Sequence, residues 1–143
     1  MKIIVTEKIA DKGIELLQNV PGVEVFVYRE IKREELLDVI DQYDAMIVRS
    51  VTKVDEELYQ RAKKLKVVGR AGNGVDNIDM EGATKRGIIV VNTPESNIVS
   101  ACELTIGLML ASARNMVKGH NSLMAGEGGR TGLRGSERLH KTL

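Results

Sequence analysis

Two arginines stand where short apolar runs end. The run 45–48 (Ala-Met-Ile-Val) is followed by Arg49-Ser50, and the run 66–68 leads through Gly69 into Arg70-Ala71-Gly72-Asn73-Gly74. A third run, 88–91, ends in Asn92-Thr93-Pro94. If the runs are parallel strands of an open sheet, these residues share the carboxyl rim, where such sheets bind ligands. Guanidinium groups grip carboxylate or phosphate through paired hydrogen bonds, and glycines let backbone N–H groups approach an anion closely. A single arginine could merely pair with a surface carboxylate. Two at successive strand ends, one followed by Ala-Gly-Asn-Gly, point to an anion cradle.

Other constellations fail on spacing or context. Gly69, Gly72 and Gly74 do not have the spacing of a dinucleotide fingerprint, and Gly126-Glu127-Gly128 has Thr131 where the third glycine belongs. The stretch 135–142 approaches a phosphate-binding P-loop, but His140 replaces the second glycine and no strand leads in. His120 and His140 lack partners at metal-ligand spacing, so no metal site is expected and both read as solvated residues. Cys102, the only cysteine, sits in an apolar stretch and reads as packing; it can form no intrachain disulfide, which suits a reducing cytoplasm. A phosphorelay receiver would place an aspartate where Arg49 stands. A flavodoxin would place a hydroxyl-rich loop where Thr6-Glu7-Lys8-Ile9 stands.

The elements that position the arginines follow from hydropathy. Runs at 2–5, 23–27, 45–48, 66–68 and 88–91 are rich in Val and Ile and continuously apolar, the pattern of parallel strands covered on both faces. Between them Ile9, Ile14, Leu16 and Leu17 suit one helix face, Leu36, Leu37, Val39 and Ile40 a second, and Leu58 with Ala62 a third. Thr52-Lys53-Val54-Asp55 resembles a capping box for the third helix, and Gly87 suits a helix stop. The expectation is an α/β domain, flavodoxin-like and doubly wound, with a five-stranded parallel sheet in the order 2-1-3-4-5. A long helix over 97–125 follows, apolar nearly all round at 104–111, and so in need of cover from a second domain or another subunit. The glycine- and arginine-rich stretch 126–143 reads as an irregular tail.

Composition narrows the function. The 143 residues are 43% hydrophobic and 29% charged with a net charge of +1, so no basic field is available for nucleic acid. One Phe, three Tyr and no Trp leave no stacking platform for single strands. The most apolar stretch, 104–113, covers about half of a membrane span. A cytoplasmic protein that binds neither nucleic acid nor membrane is expected.

Four ordered motifs span the chain: Ile47-Val-Arg49-Ser50; Val67-Val-Gly-Arg70-Ala-Gly-Asn-Gly-Val-Asp76-Asn77-Ile78-Asp79; Val91-Asn-Thr-Pro94-Glu-Ser-Asn97; and Ser100-Ala-Cys-Glu103-Leu-Thr. Together they resemble the D-isomer-specific 2-hydroxyacid dehydrogenases. The resemblance implies an NAD-dependent oxidoreductase with two α/β domains around a cleft. Residues 1–96 would be the substrate-binding domain, 97–125 an interdomain and dimer-forming helix, and 126–143 a tail leading to a nucleotide-binding domain absent from this chain. By the same resemblance Arg49, Ser50, Arg70, Ala71, Gly72, Asn73, Gly74 and Asn97 would contact a small carboxylate or phosphorylated substrate, and Asn73 would also lie near the nicotinamide. Arg130 would reach a substrate phosphate across a homodimer interface. The favoured substrate is 3-phosphoglycerate, used in serine biosynthesis. The family's Trp near Gly128, Leu near Arg138 and Gly near His140 are missing. Its glycine fingerprint and its catalytic Arg, Glu and His lie beyond Leu143, so the chain is expected to be a truncated dehydrogenase, inactive alone. The alternative is a stand-alone small-anion-binding or dimerisation module.

Overall fold

The computed structural model of the chain describes residues 1–129, 131–138, 140 and 141. They divide into two compact units, Met1–Ser96 and Asn97–Leu143. The first alternates strands and helices: β1 (Lys2–Val5), α1 (Asp11–Gln18), β2 (Glu24–Val27), α2 (Arg33–Val39) with a single 3-10 turn at Ile40–Gln42, β3 (Ala45–Val48), α3 (Glu56–Arg61), β4 (Val67–Arg70), α4 (Met80–Lys85) and β5 (Ile89–Asn92). All five strands are parallel in the order β2-β1-β3-β4-β5. This is the doubly wound α/β arrangement that the apolar runs predict.

Burial follows position in the sheet. Ile4 of β1, Met46 and Val48 of β3 and Val68 of β4 are fully enclosed, packed with Leu36, Ile40, Val54 and Leu58, and Val5 of β1 is fully enclosed as well. The expectation of cover on both faces fails at the edges. Phe26 and Val27 of β2, and Ile89 and Val91 of β5, are exposed, because an edge strand has a neighbour on one side only. Leu16, expected on the inner face of α1, is 64% exposed. The α3 cap also differs: Asp55, not Thr52, accepts from the Leu58 N–H at 3.2 Å. The Thr52 hydroxyl is instead bonded to that of Thr6 at 2.8 Å. At Gly87 φ is +68°, which explains why glycine ends α4.

In the second unit the single helix expected over 97–125 is two helices, α5 (Ile98–Ala113) and α6 (Met116–Met124). Asn115 divides them with φ 52° and ψ 35°, a left-handed conformation that asparagine tolerates better than other non-glycine residues. The tail is not free of contacts here. Ser136 N–H bonds to Ala113 O at 2.8 Å, Asn115 Nδ2 to Arg134 O at 3.0 Å, and Lys118 Nζ to Gly132 O at 3.0 Å. Gly135 permits this approach, since a Cβ there would sit 2.5 Å from Ala113 O. On α5, Val99, Leu104, Ile106, Leu108 and Leu110 are exposed, as is Cys102, which was expected to pack. Among the described residues no helix is long and apolar enough to cross a membrane.

Candidate functional site

The carboxyl ends of β1, β3 and β4 carry the first unit's chemistry. Val5 and Val48 hold the ends of β1 and β3 in the core, and Glu7 and Arg49 follow them at the rim. Arg49 follows β3 and is exposed. Among the described residues its guanidinium makes one bond, Nη1 to the Lys8 carbonyl at 3.1 Å, and it borders a depression of about 500 Å³ shared with Lys8, Ile9, Ala10 and Ala71. A smaller depression of about 190 Å³ on the β2 side brings Lys8, Arg29 and Arg49 together with Glu7 and Glu30. Ser50 is exposed beside Arg49.

Arg70, the last residue of β4, behaves differently. Its side chain is only 10% exposed and turns into its own loop. Nε donates to Asn77 Oδ1 at 2.7 Å and Nη2 to Asp76 Oδ1 at 3.3 Å. Nη1 lies under the glycine turn, where a Cβ on Gly72 would be 3.0 Å away and one on Gly74 3.5 Å away. The two glycines therefore serve to close the turn over a guanidinium. Ala71 N–H bonds to Val48 O at 2.9 Å and Gly72 O accepts from Thr93 N–H at 3.0 Å, fixing the turn between β3 and the loop after β5. Asn73 is exposed, its carbonyl held by Asn92 Nδ2 at 2.6 Å.

Two residues central to this geometry were not among the expected site residues. Glu7, after β1, accepts backbone N–H bonds from Arg49 at 2.9 Å, Val51 at 3.1 Å and Thr52 at 2.9 Å. Partial burial pushes its carboxyl up. The N–H groups of Thr52, Arg49 and Val51, with the Thr52 hydroxyl, outweigh that and leave it below the usual 4.5. Asn77 donates to Arg49 O at 2.9 Å and Thr52 O at 2.7 Å. Neither role has a local signal, because the partners lie 25 to 45 residues away in the chain.

Of the remaining expected residues, Asn97 belongs to the second unit, directly before α5, and makes no side-chain capping bond. Arg130 lies outside the described residues. A groove of about 900 Å³ in the second unit is lined by α5, α6 and the tail, including Leu108, Asn115, Lys118 and Leu133. Its size does not make it the better candidate, since none of the expected site residues is among its described lining. Among the described residues no cluster of His, Cys, Asp or Glu is arranged to hold a metal. The glycine turn does not fit a dinucleotide: α4, the next helix, has its N-terminus occupied by the Asp79 carboxylate, which accepts from Gly82 N–H at 2.9 Å. A pyrophosphate would need that position.

The family model for the D-isomer specific 2-hydroxyacid dehydrogenase catalytic domain matches residues 3–135. The D-3-phosphoglycerate dehydrogenase of Methanocaldococcus jannaschii is 48% identical over 143 residues, covering 100% of this chain and 27% of its own length. The NAD+-bound 3-phosphoglycerate dehydrogenase of Entamoeba histolytica superposes with a TM-score of 0.68 at 36% identity, over 80% of this chain and 39% of that one. The D-lactate dehydrogenase of Aquifex aeolicus, solved with NAD and lactic acid, gives 0.84 at 17% identity over 94% of this chain and 41% of that one, a likeness of fold alone. The chain spans about a quarter of the length of the curated relatives it matches.

Proposed function

This chain belongs to the D-isomer-specific 2-hydroxyacid dehydrogenase family, and on that premise we propose that it is the substrate-binding portion of a cytoplasmic NAD-dependent dehydrogenase acting on 3-phosphoglycerate in serine biosynthesis, inactive by itself. The observation that carries this reading is the exposed guanidinium of Arg49 at the edge of the rim depression, beside the glycine turn braced by Arg70. Arg49 and Ser50 meet the ligand's anionic groups, and the turn from Ala71 to Gly74 offers backbone to its carboxylate. Asn97 and Arg130 complete the substrate contacts in the assembled enzyme. NAD, held by a glycine-fingerprint domain of the assembled enzyme, would supply the hydride acceptor, and Asn73 is the residue of this chain that would lie near it. This chain's own residues bind and orient the hydroxy acid. No base is assigned among them, and for that reason turnover is not expected from the 143 residues.

Titration calorimetry with 3-phosphoglycerate tests the reading. Saturable binding to the wild-type chain, lost in Arg49→Ala, is expected, with no NAD reduction. Absence of binding, or appreciable turnover by the chain alone, would sink it. The exposed apolar residues of α5 further support a homodimer or higher oligomer through the 97–125 region. A monodisperse monomer by light scattering at high concentration contradicts that part.

A further inference from the structure

We propose that Asn77 is a positioning residue that holds Arg49 and Arg70 at their working separation, an inference that rests on the anion-binding reading above. Its amide spans the gap between two rim loops. Nδ2 donates to the carbonyls of Arg49 and Thr52 at 2.9 and 2.7 Å, while Oδ1 accepts from Arg70 Nε at 2.7 Å. The partners fix the amide's orientation. With oxygen and nitrogen exchanged, the oxygen would face two carbonyls and the NH2 group would face an N–H. Aspartate keeps the acceptor and loses both donors. Alanine loses all three bonds.

The consequence for Arg49 is specific. Its N–H is held by Glu7 at 2.9 Å and its C=O by Asn77 at 2.9 Å. The two side chains come from different loops, so residue 49 is gripped at both ends of its backbone while its guanidinium stays exposed. Arg70 is treated in reverse, with its side chain locked by Asn77, Asp76 and the turn. An exposed cation on a doubly held backbone and a cation locked in its own loop thus share one amide, which sets the relation between them. A binding group that is held before the ligand arrives costs less to organise on binding.

The test uses the full chain, with 3-phosphoglycerate as the probe. In 15N NMR spectra the Arg70 Nε–H of the wild type, bonded to Asn77 Oδ1 on a side chain only 10% exposed, is expected to exchange slowly with solvent. In Asn77→Ala that protection is lost, and affinity falls by about tenfold or more, the scale expected when a positioning contact is removed. Asn77→Asp retains the Arg70 signal and still loses affinity, because the Arg49 carbonyl is released. It also serves if the alanine variant fails to fold. Gly82→Ala, which disturbs α4 and not the rim, provides the control: it lowers stability and leaves affinity unchanged. Wild-type affinity in either Asn77 variant, continued Nε–H protection in Asn77→Ala, or an equal affinity loss in Gly82→Ala overturns the proposal. If the wild-type chain binds no probe, the anion-binding reading falls, and the exchange measurement alone decides whether Asn77 fixes Arg70.

Discussion

Replacing Glu7 with alanine removes one carboxylate and leaves three backbone N–H groups without their acceptor. The three do not lose equally. Arg49 and Val51 are exposed, so water takes over and each loss costs about 0.5 kcal/mol, the low end for a replaced hydrogen bond. The Thr52 N–H is half-buried and loses a bond to a charged group, for which about 1.5 kcal/mol is appropriate. Together these make roughly 2.5 kcal/mol, which for a unit of this size lowers the melting temperature by about 10–20 °C. Thermal unfolding by circular dichroism measures it, and hydrogen exchange at Thr52 locates it. Glu7→Gln, which keeps one acceptor oxygen, should recover about half of the loss. If Glu7→Ala melts within about 2 °C of the wild type with Thr52 still protected, the three bonds do not carry the stability assigned to them.

The pH dependence follows from the same group. The folded-state pKa of Glu7 lies below its ordinary 4.5, so its contribution is complete above pH 4.5 and disappears as pH falls through the folded value. The gap in melting temperature between wild type and Glu7→Ala should therefore close on acidification below pH 4.5, and a gap constant down to pH 3 would refute the assignment. Gly82→Ala sets helix propensity against space. Alanine gains about 1 kcal/mol inside a helix, but its Cβ would sit 2.5 Å from Asp79 Oδ2 and 3.1 Å from the Tyr59 ring. Losing the Asp79 cap and displacing the ring outweigh the gain, for a net loss of about 1–2 kcal/mol in denaturant unfolding. Unchanged or raised stability would show that Asp79 moves aside freely.

Much of the first unit was legible because parallel strands leave a strong local signal. The bounds of β1 and β3 agree with the apolar runs, and β2, β4 and β5 differ by a residue or two. With the runs identified, Arg49 and Arg70 follow at the rim. The inward turn of Arg70 was not legible, since it depends on Asp76 and Asn77 meeting the guanidinium in space. Asp55 caps α3 although the local spacing points to Thr52, because the Thr52 hydroxyl pairs with that of Thr6, just after β1 and far away in the chain. The break at Asn115 interrupts a stretch in which Ala113, Arg114 and Met116 are all acceptable in a helix. Nothing short of its left-handed backbone announces it.

The bonds from Glu7 to the loop after β3 bridge 42 to 45 residues of chain. They cannot exist until β1 and β3 have paired in register, Ile3 opposite Ala45 and Val5 opposite Ile47. Pairing across such separations is the slow part of folding, because the loop must close before the contact repays it. Protection of the Thr52 amide therefore works as a clock: in a refolding time course it marks the arrival of a completed sheet, and a chain that lacks it has not yet built a rim at which an anion could be met.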